Sequence, residues 1–386
     1  MSVYFDVSEF ITNPLRTGIQ RVTAELASHW PDPRELVPVR ITRDARMVRL
    51  PGSTLAAIDD YFRRPAHQIA ESLTRIREIM GLSETGPHVP LVRGDSLVCS
   101  EVFWDPVRIN FYEGLPTELH RCYCFLIHDL LPMTHPQYFG PDLPHEIIHR
   151  YFRLIRNIPN VAFTSKATQR AYYGRLLRVS KLCGPTIRLG SDGLGPRHQA
   201  VHRPLPAKRF VVACTIEPRK NHSLVLDAFE PILTMAPEVE LLFVGRIGWA
   251  DPKLIARIER LQQRYPSFRV YCDVDDGAMR HYIESARATI FVSAAEGFGL
   301  PPVESLWLGT PVIATDDIPS LENVADDGIC RVSPLTEGHL RQAVLAFLND
   351  DFYRKKAAEA QGITLPAWSD FAGGISDWVR EMRFSA

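Results

Sequence analysis

The sequence predicts a two-domain α/β protein, each domain built on a doubly wound parallel sheet and the two facing each other across a cleft. Three observations carry this. At 386 residues the chain is too long for one ordinary core and suits two domains of roughly 150–200 residues. In its second half, short β-branched apolar runs alternate with amphipathic stretches, the pattern of strands buried on both faces by helices. The stretch HRPLPAK at 202–208 interrupts both periodicities with two prolines and reads as a linker. The expected division is therefore 1–204, 205–366, and a last helical segment 367–386 with no strand after it, expected to cross back to the first domain.

The elements follow in order. In the first half VYFDV (3–7), SLVCS (96–100), RCYCFLIHD (121–129) and NVAFTS (160–165) read as strands. Residues 17–30, 59–80, 145–156 and 166–177 read as helices. In the second half RFVVACT (209–215), VELLFVG (239–245), FRVYCDV (268–274), ATIFVSA (288–294) and TPVIATD (310–316) read as strands. Helices start near Asn221, Asp251, Asp276 and Pro302, and a final one covers 370–382. Crossovers between parallel strands are right-handed, and ligands in such sheets bind beyond the carboxyl ends of the strands.

Composition narrows the class. The 45% apolar content is that of a globular protein, and no run approaches the ~18 apolar residues of a membrane span. The opening MSVYFDVSEF has acids and no basic leader, and seven cysteines without framework spacing suit a reducing, cytoplasmic compartment. A formal net charge of −1 gives no overall attraction for nucleic acid. Arg150 to Arg188, however, holds many Arg and Lys and no Asp or Glu. That run reads equally as a solvated helical face or as a basic surface for peripheral association with an anionic membrane at its inner face.

The most informative stretch is EGFGLPPVESLWLGTPVIA, 296–314, directly after a strand. Gly297 and Gly299 let the backbone approach a ligand, and a helix start after such a loop is an anion site suited to a diphosphate. Glu296 and Glu304 stand eight positions apart, one on the loop and one at the helix start, able to accept paired hydrogen bonds from vicinal hydroxyls such as those of sugars. After the strand RFVVACT come Arg219 and Lys220, a fork and a point charge placed to neutralise a diphosphate. Alone, such a pair is ordinary surface. Gly18 lies in RTGIQR after the first strand, where Thr17 would cap a helix. His128 ends the strand 121–129.

E-G-F-G-L-P-P-V-E resembles the E-x7-E signature of retaining GT-B glycosyltransferases, the family 4 group that includes bacterial mannosyltransferases and sucrose synthases. Spacing, glycines and proline all match. The resemblance implies the GT-B fold, two Rossmann-like domains facing across a cleft. It implies that Glu296 contacts the transferred sugar and Glu304 the nucleotide ribose, with Gly297, Phe298, Gly299 and Leu300 lining the donor. It further implies that Arg219 and Lys220 bind the diphosphate, Gly18 lies against the phosphates, and His128 reaches the donor sugar. Gly245, Arg246 and Trp249 would border the nucleotide, and 273–276 would hold the base through backbone contacts. One departure stands out: Cys214 occupies a position where many members carry a further Arg. The implied reaction is transfer from a nucleoside-diphosphate sugar with retention, without cofactor or metal. His128-Asp129 and the T-G-I-Q-R loop lean toward GDP-mannose or a GDP-deoxyhexose such as GDP-fucose, with UDP- and dTDP-sugars still open. A growing polysaccharide, as in lipopolysaccharide synthesis, or a lipid-linked oligosaccharide is the expected acceptor.

Three rival readings meet obstacles in the sequence. His145-Glu146-Ile147-Ile148-His149 matches the H-E-x-x-H of zinc peptidases, but no His, Asp or Glu follows before Ser191 to complete the metal site. A sugar-nucleotide epimerase or dehydrogenase would need G-x-G-x-x-G after the first strand, where a single glycine stands. An inactive glycosyltransferase-like binding module is disfavoured by the presence of Glu296, Arg219, Lys220 and Glu304 together.

Overall fold

The computed structural model describes residues 2–140, 144–197 and 205–384. It divides into two compact units, Met1–Thr134 with Asp142–Gly190 and Pro366–Ala386, and His135–Pro141 with Ser191–Leu365. The chain thus contributes the short stretch His135–Pro141 to the second unit and enters it again at Ser191, ahead of the boundary expected at 204/205. Residues 202–204 of the stretch read as a linker lie outside the described residues.

Among the described residues the first unit holds one six-stranded sheet in the order β3-β2-β1-β4-β5-β6. Its strands are β1 Val3–Asp6, β2 Leu36–Ile41, β3 Met47–Arg49, β4 Ser96–Cys99, β5 Tyr123–Ile127 and β6 Asn160–Phe163. All neighbours pair in parallel except β2 with β3. Strands β2 and β3 were not foreseen. Pro38 inside LVPVRI argues against an interior strand, yet here it sits opposite Phe5 in a parallel pair. The helix expected over 59–80 is instead Thr54–Arg63 and Ile69–Glu84, interrupted at Pro65, which cannot continue a helical hydrogen-bond ladder. The helix over 166–177 is α-helical only to Ala171 and widens into a π-turn, Tyr172–Leu177. In the helix His145–Arg156 the buried Ile148, Tyr151, Phe152 and Ile155 recur at helical spacing against an aromatic-rich core with Phe103, Tyr112 and Phe163.

The second unit carries a six-stranded, wholly parallel sheet in the order β12-β11-β10-β7-β8-β9. Its strands are β7 Arg209–Ala213, β8 Glu240–Val244, β9 Phe268–Tyr271, β10 Ala288–Phe291, β11 Val312–Ala314 and β12 Ile329–Arg331. The three-residue β12 was not foreseen; it is too short to show a period. The helix Pro252–Arg264 shows why these sequences fold locally. Asp251 caps it by accepting from Lys253 N, Pro252 opens it, and Leu254, Ile258 and Leu261 bury one face.

Both sheets reverse their strand order beside their first strand, at β1/β4 in the first unit and β7/β10 in the second. At such a switch point the loops leaving neighbouring strands run to opposite faces and leave a crevice between them. No helix among the described residues is long and apolar enough to cross a membrane.

Candidate donor-binding site

The second unit's switch point brings together the loop after β7 and the loop after β10. After β7 a 3-10 turn, Pro218–Lys220, is closed by Asn221 in the left-handed region (φ 55°), which starts the helix His222–Met235. Asn221 Nδ2 donates to the Val292 carbonyl (2.8 Å), and Ala294 N donates to the Arg219 carbonyl (2.7 Å). These bonds, one from a side-chain amide and one between backbones, lock the two loops together, so their charged side chains meet at fixed distances.

Those side chains form a compact charge cluster. Arg219 Nη1 donates to Glu296 Oε2 at 2.7 Å and to the Ala295 carbonyl at 3.1 Å. Lys220 Nζ donates to Glu296 Oε1 at 2.5 Å and lies 4.7 Å from the centre of the Phe291 ring. Arg219 Nε pairs with Glu217 Oε1 at 2.5 Å. The carboxylates of Glu217 and Glu296 are 3% and 6% exposed, Lys220 is 8% and Arg219 18%, so the guanidinium is the most open of the four. Burial raises the Glu296 pKa, but Lys220 and Arg219 more than offset this and hold the carboxyl below its usual range. For Glu217 burial prevails over the same two cations, and its pKa is raised.

The helix following Glu296 begins at Leu300, earlier than expected, with Gly299 as N-cap and both Pro301 and Pro302 in its first turn. Glu304 therefore sits in the second turn, 7% exposed. Gly299 adopts φ 88°, and a Cβ there would meet Ile318 Cγ2 at 3.2 Å and Phe291 Cε1 at 3.3 Å. Only glycine combines that backbone with that contact. Phe298 is buried, and its carbonyl accepts from Ser320 N (2.8 Å).

Cys214, the departure from the family pattern, is a neutral packing residue. Burial pushes its thiol up to about 12, and its Sγ lies 3.8 Å from His222 Nε2. His222 is itself buried edge-on to Phe243, and burial together with Lys220 lowers its pKa to about 3. Gly245, at φ 156°, brings the loop after β8 against Cys214, whose carbonyl would be 2.2 Å from any added Cβ. Trp249 Nε1 donates to the Tyr138 carbonyl at 2.7 Å. Asp275 caps the helix Asp276–Glu284 by accepting from Ala278 N.

The other expected residues lie in the first unit. Thr17 caps the helix Gly18–His29 by accepting from Gln20 N, and Gln20 in turn ties Leu15 and Asn13. Arg16 Nη2 anchors the same loop on the carbonyls of Tyr61 and Arg64 (2.7 and 2.6 Å). His128 is 6% exposed, and burial keeps it neutral by lowering its pKa; its Nε2–H donates to the Ser100 carbonyl at 2.7 Å, which sets the tautomer. His145 and His149 lie at the start of the helix His145–Arg156, and no cluster of three or more His, Cys, Asp or Glu occurs among the described residues.

The residues that sequence reasoning did not single out are buried acids and an arginine. Glu217, two positions before Arg219, was passed over although it stands in the same motif. In the first unit Asp6, at the end of β1, and Glu101, just after β4, flank Arg108 at 2.8 and 3.2 Å, with Tyr112 Oη donating to Asp6 at 2.7 Å. Glu101 also accepts the backbone N–H groups of Glu9 and Phe10, both at 2.8 Å. No local pattern marks residues about a hundred positions apart as partners.

Residues 197–361 match the family described as glycosyl transferases group 1. The serotype-specific mannosyltransferase WbdA of Escherichia coli is 28% identical over 225 residues, 53% of this chain but only 27% of that protein, so the chain spans about a quarter of it. The O-antigen chain mannosyltransferase B of Escherichia coli is 32% identical over 267 residues, 66% of this chain and 67% of the relative. The structure of Anabaena Alr3699/HepE in complex with UDP-glucose covers all of both chains with a TM-score of 0.62 at 16% identity, a likeness of fold, and that fold is GT-B. A relative matched at this identity over two thirds of its own length, together with the signature built at the second switch point, identifies the chain as a member of the glycosyl transferases group 1 family.

Proposed function

We propose that this protein is a retaining, metal-independent glycosyltransferase that moves a hexose or deoxyhexose from a nucleoside-diphosphate sugar, of the GDP-mannose or GDP-fucose type, to a hydroxyl of a glycan or lipid-linked oligosaccharide during cell-surface polysaccharide synthesis. The observation that carries the reading is the pairing of Arg219 and Lys220 with Glu296 beside a helix start that presents Glu304. The names of the Escherichia coli relatives, both mannosyltransferases and one of them of the O-antigen chain, favour a mannose donor and a polysaccharide acceptor.

In this reading Arg219 and Lys220 stabilise the charge that develops on the leaving diphosphate, with the amide groups at the Gly299–Leu300 helix start; the family resemblance gives Gly18 a role against the phosphates as well. Glu296 accepts hydrogen bonds from the transferred sugar, Glu304 from the ribose, and Gly297, Phe298 and Leu300 shape the wall. His128, neutral and fixed in tautomer, serves the sugar as a hydrogen-bonding group. The acceptor hydroxyl attacks the face from which the diphosphate departs, so no enzyme nucleophile is needed. The reaction takes place in the cytoplasm, at the inner face of the membrane. The exposed Val179 and Leu182 beside Arg178 and Lys181 are suited to an anionic lipid surface.

The test is a thermal-shift screen of GDP-mannose, GDP-fucose, UDP-glucose, UDP-N-acetylglucosamine and dTDP-rhamnose, with Arg219→Ala and Glu304→Ala as controls. A donor at a hundredfold excess over Kd adds about 2.7 kcal/mol to stability. One donor should raise the midpoint, and both variants should lose that shift. A folded protein that none of them stabilises contradicts the proposal. Product NMR then reads the anomeric configuration, and activity unchanged by EDTA reads metal independence.

A further inference from the structure

The charge cluster at the second switch point is already neutral within itself. Arg219 and Lys220 carry two positive charges, Glu217 and Glu296 two negative ones, and every contact among them is an ion pair of 2.5 to 2.7 Å. A nucleoside diphosphate brings two further negative charges to this position. Placing them against a neutral, largely buried cluster would leave an excess of negative charge in a medium that screens it poorly. Something must give up its negative charge or leave.

The two carboxylates are not equivalent. Glu296 is held by both cations, one on each oxygen, so its ionised form is the one its surroundings favour. Among the described residues Glu217 forms its ion pair with Arg219, through Nε, and its side chain is the least exposed of the four. Around it stand Arg219 and Lys220 from its own turn, Glu296 from the loop after β10, and the Cys214 thiol at the end of β7, which is neutral. From the loop after β8, Arg246 O accepts from Ile216 N (2.8 Å), and a Cβ added at Gly248 would stand 3.7 Å from the Glu217 Cβ. No cation from another element replaces Arg219 as its partner in this set.

Building on the donor-site reading, we propose that Glu217 is the charge-balancing residue of that site. When a nucleoside diphosphate binds, Glu217 takes up one proton from solvent, so that Arg219 turns its charge to the phosphates while Glu296 stays ionised for the sugar. Glu217 touches no reacting atom; it acts through Arg219. The burial that raises its pKa acts in the same direction, because it favours the protonated carboxyl over the ionised one. The device also favours product release, since loss of that proton restores the internal ion pair and weakens the hold on the diphosphate.

The experiment is calorimetric titration of the full chain with GDP-mannose and, separately, UDP-glucose, whose diphosphates have no ionisation near neutrality. Each titration is run in two buffers of different protonation enthalpy, and at about pH 6.5 and about pH 8.5, for wild type and Glu217→Gln. Wild type should take up a substantial fraction of one proton, and its affinity should rise by up to about tenfold per pH unit as pH falls. Glu217→Gln should bind several-fold more tightly than wild type at the higher pH, with no proton uptake and no pH dependence. Binding by wild type without proton uptake and without pH dependence overturns the inference and needs no variant to read. A folded Glu217→Gln that binds more weakly also overturns it, because Glu217 would then only hold Arg219 in place. If wild type binds neither donor under any condition, the donor-site reading itself fails, a different result from the other two.

Discussion

The protein carries a buried charge cluster at the switch point of each sheet, and the two are built differently. In the first unit one cation, Arg108, faces Asp6 and Glu101, with Glu9 at 3.6 Å; Arg108, Asp6 and Glu101 are 2% exposed or less. In the second unit two cations face two carboxylates, and Arg219 remains 18% exposed. The first cluster spends its hydrogen bonds on its own scaffold. Glu101 holds two backbone N–H groups at the start of the helix Ser8–Thr12, Ser8 Oγ donates to Asp6, and the Arg108 guanidinium lies 3.9 Å over the Phe103 ring. The second cluster pairs its four charged side chains with one another, with one further bond from Arg219 to the Ala295 carbonyl, and we propose that a ligand of the right charge exchanges those pairs. One switch point is closed around the start of the helix Ser8–Thr12, and the other keeps an arginine partly exposed.

Breaking the closed cluster should have the largest effect. Arg108→Ala leaves Asp6 and Glu101 buried without a counter-charge and should cost about 3–5 kcal/mol of stability, read by urea denaturation. A loss below about 1 kcal/mol would mean that water enters the cluster and that the two clusters are alike after all. In the exchangeable cluster the loss should appear as rate. Arg219→Ala should keep the fold and lower kcat/KM by about 10²- to 10³-fold, the scale of one lost charge-stabilising donor. A variant that unfolds instead would make the second cluster a scaffold like the first.

Two smaller effects sharpen the contrast. Gly299→Ala forces a left-handed residue against Ile318 Cγ2 and should cost about 1–2 kcal/mol, with donor binding weakened because the helix start shifts. The buried His222 supplies a pH signature. Its folded pKa, about 3, lies below the unfolded value, so the folded state binds fewer protons. Its stability contribution is therefore complete above about pH 6.5 and falls by about 1.4 kcal/mol per unit as pH drops toward 3. Denaturation of wild type against His222→Leu between about pH 7 and pH 5 should show the wild type losing stability faster. Parallel curves would show that His222 is hydrated.

How far the sequence could be read also differs between the units. In the second, β7 to β11 lie within the apolar runs that announced them, because strands buried on both faces need continuous Val, Ile, Leu and Phe. The first hid β2 behind Pro38 and the buried Arg40, whose guanidinium ends on Ser83 and Glu84, contacts no local pattern foretells. The break at Pro65 was visible as a residue but was outweighed by the helical period on either side. At the candidate site, Arg219, Lys220 and Glu296 were legible because each stands in a short motif at a strand end, and the structure brings those motifs into contact. Glu217 was not, since an acid beside two bases reads as surface until its burial is known. Asp6, Glu101 and Arg108 were not legible at all, because only the sheet order brings β1 and β4 together.

We propose that the second cluster is where a nucleoside diphosphate binds. The most direct measurement is a crystal structure with the nucleoside diphosphate of whichever donor stabilises the protein. The account predicts phosphate oxygens within about 3 Å of the Arg219 guanidinium and the Lys220 ammonium, with the ribose hydroxyls on Glu304. A nucleotide seated elsewhere, with the ion pairs of Arg219 and Lys220 to Glu217 and Glu296 intact, would contradict it.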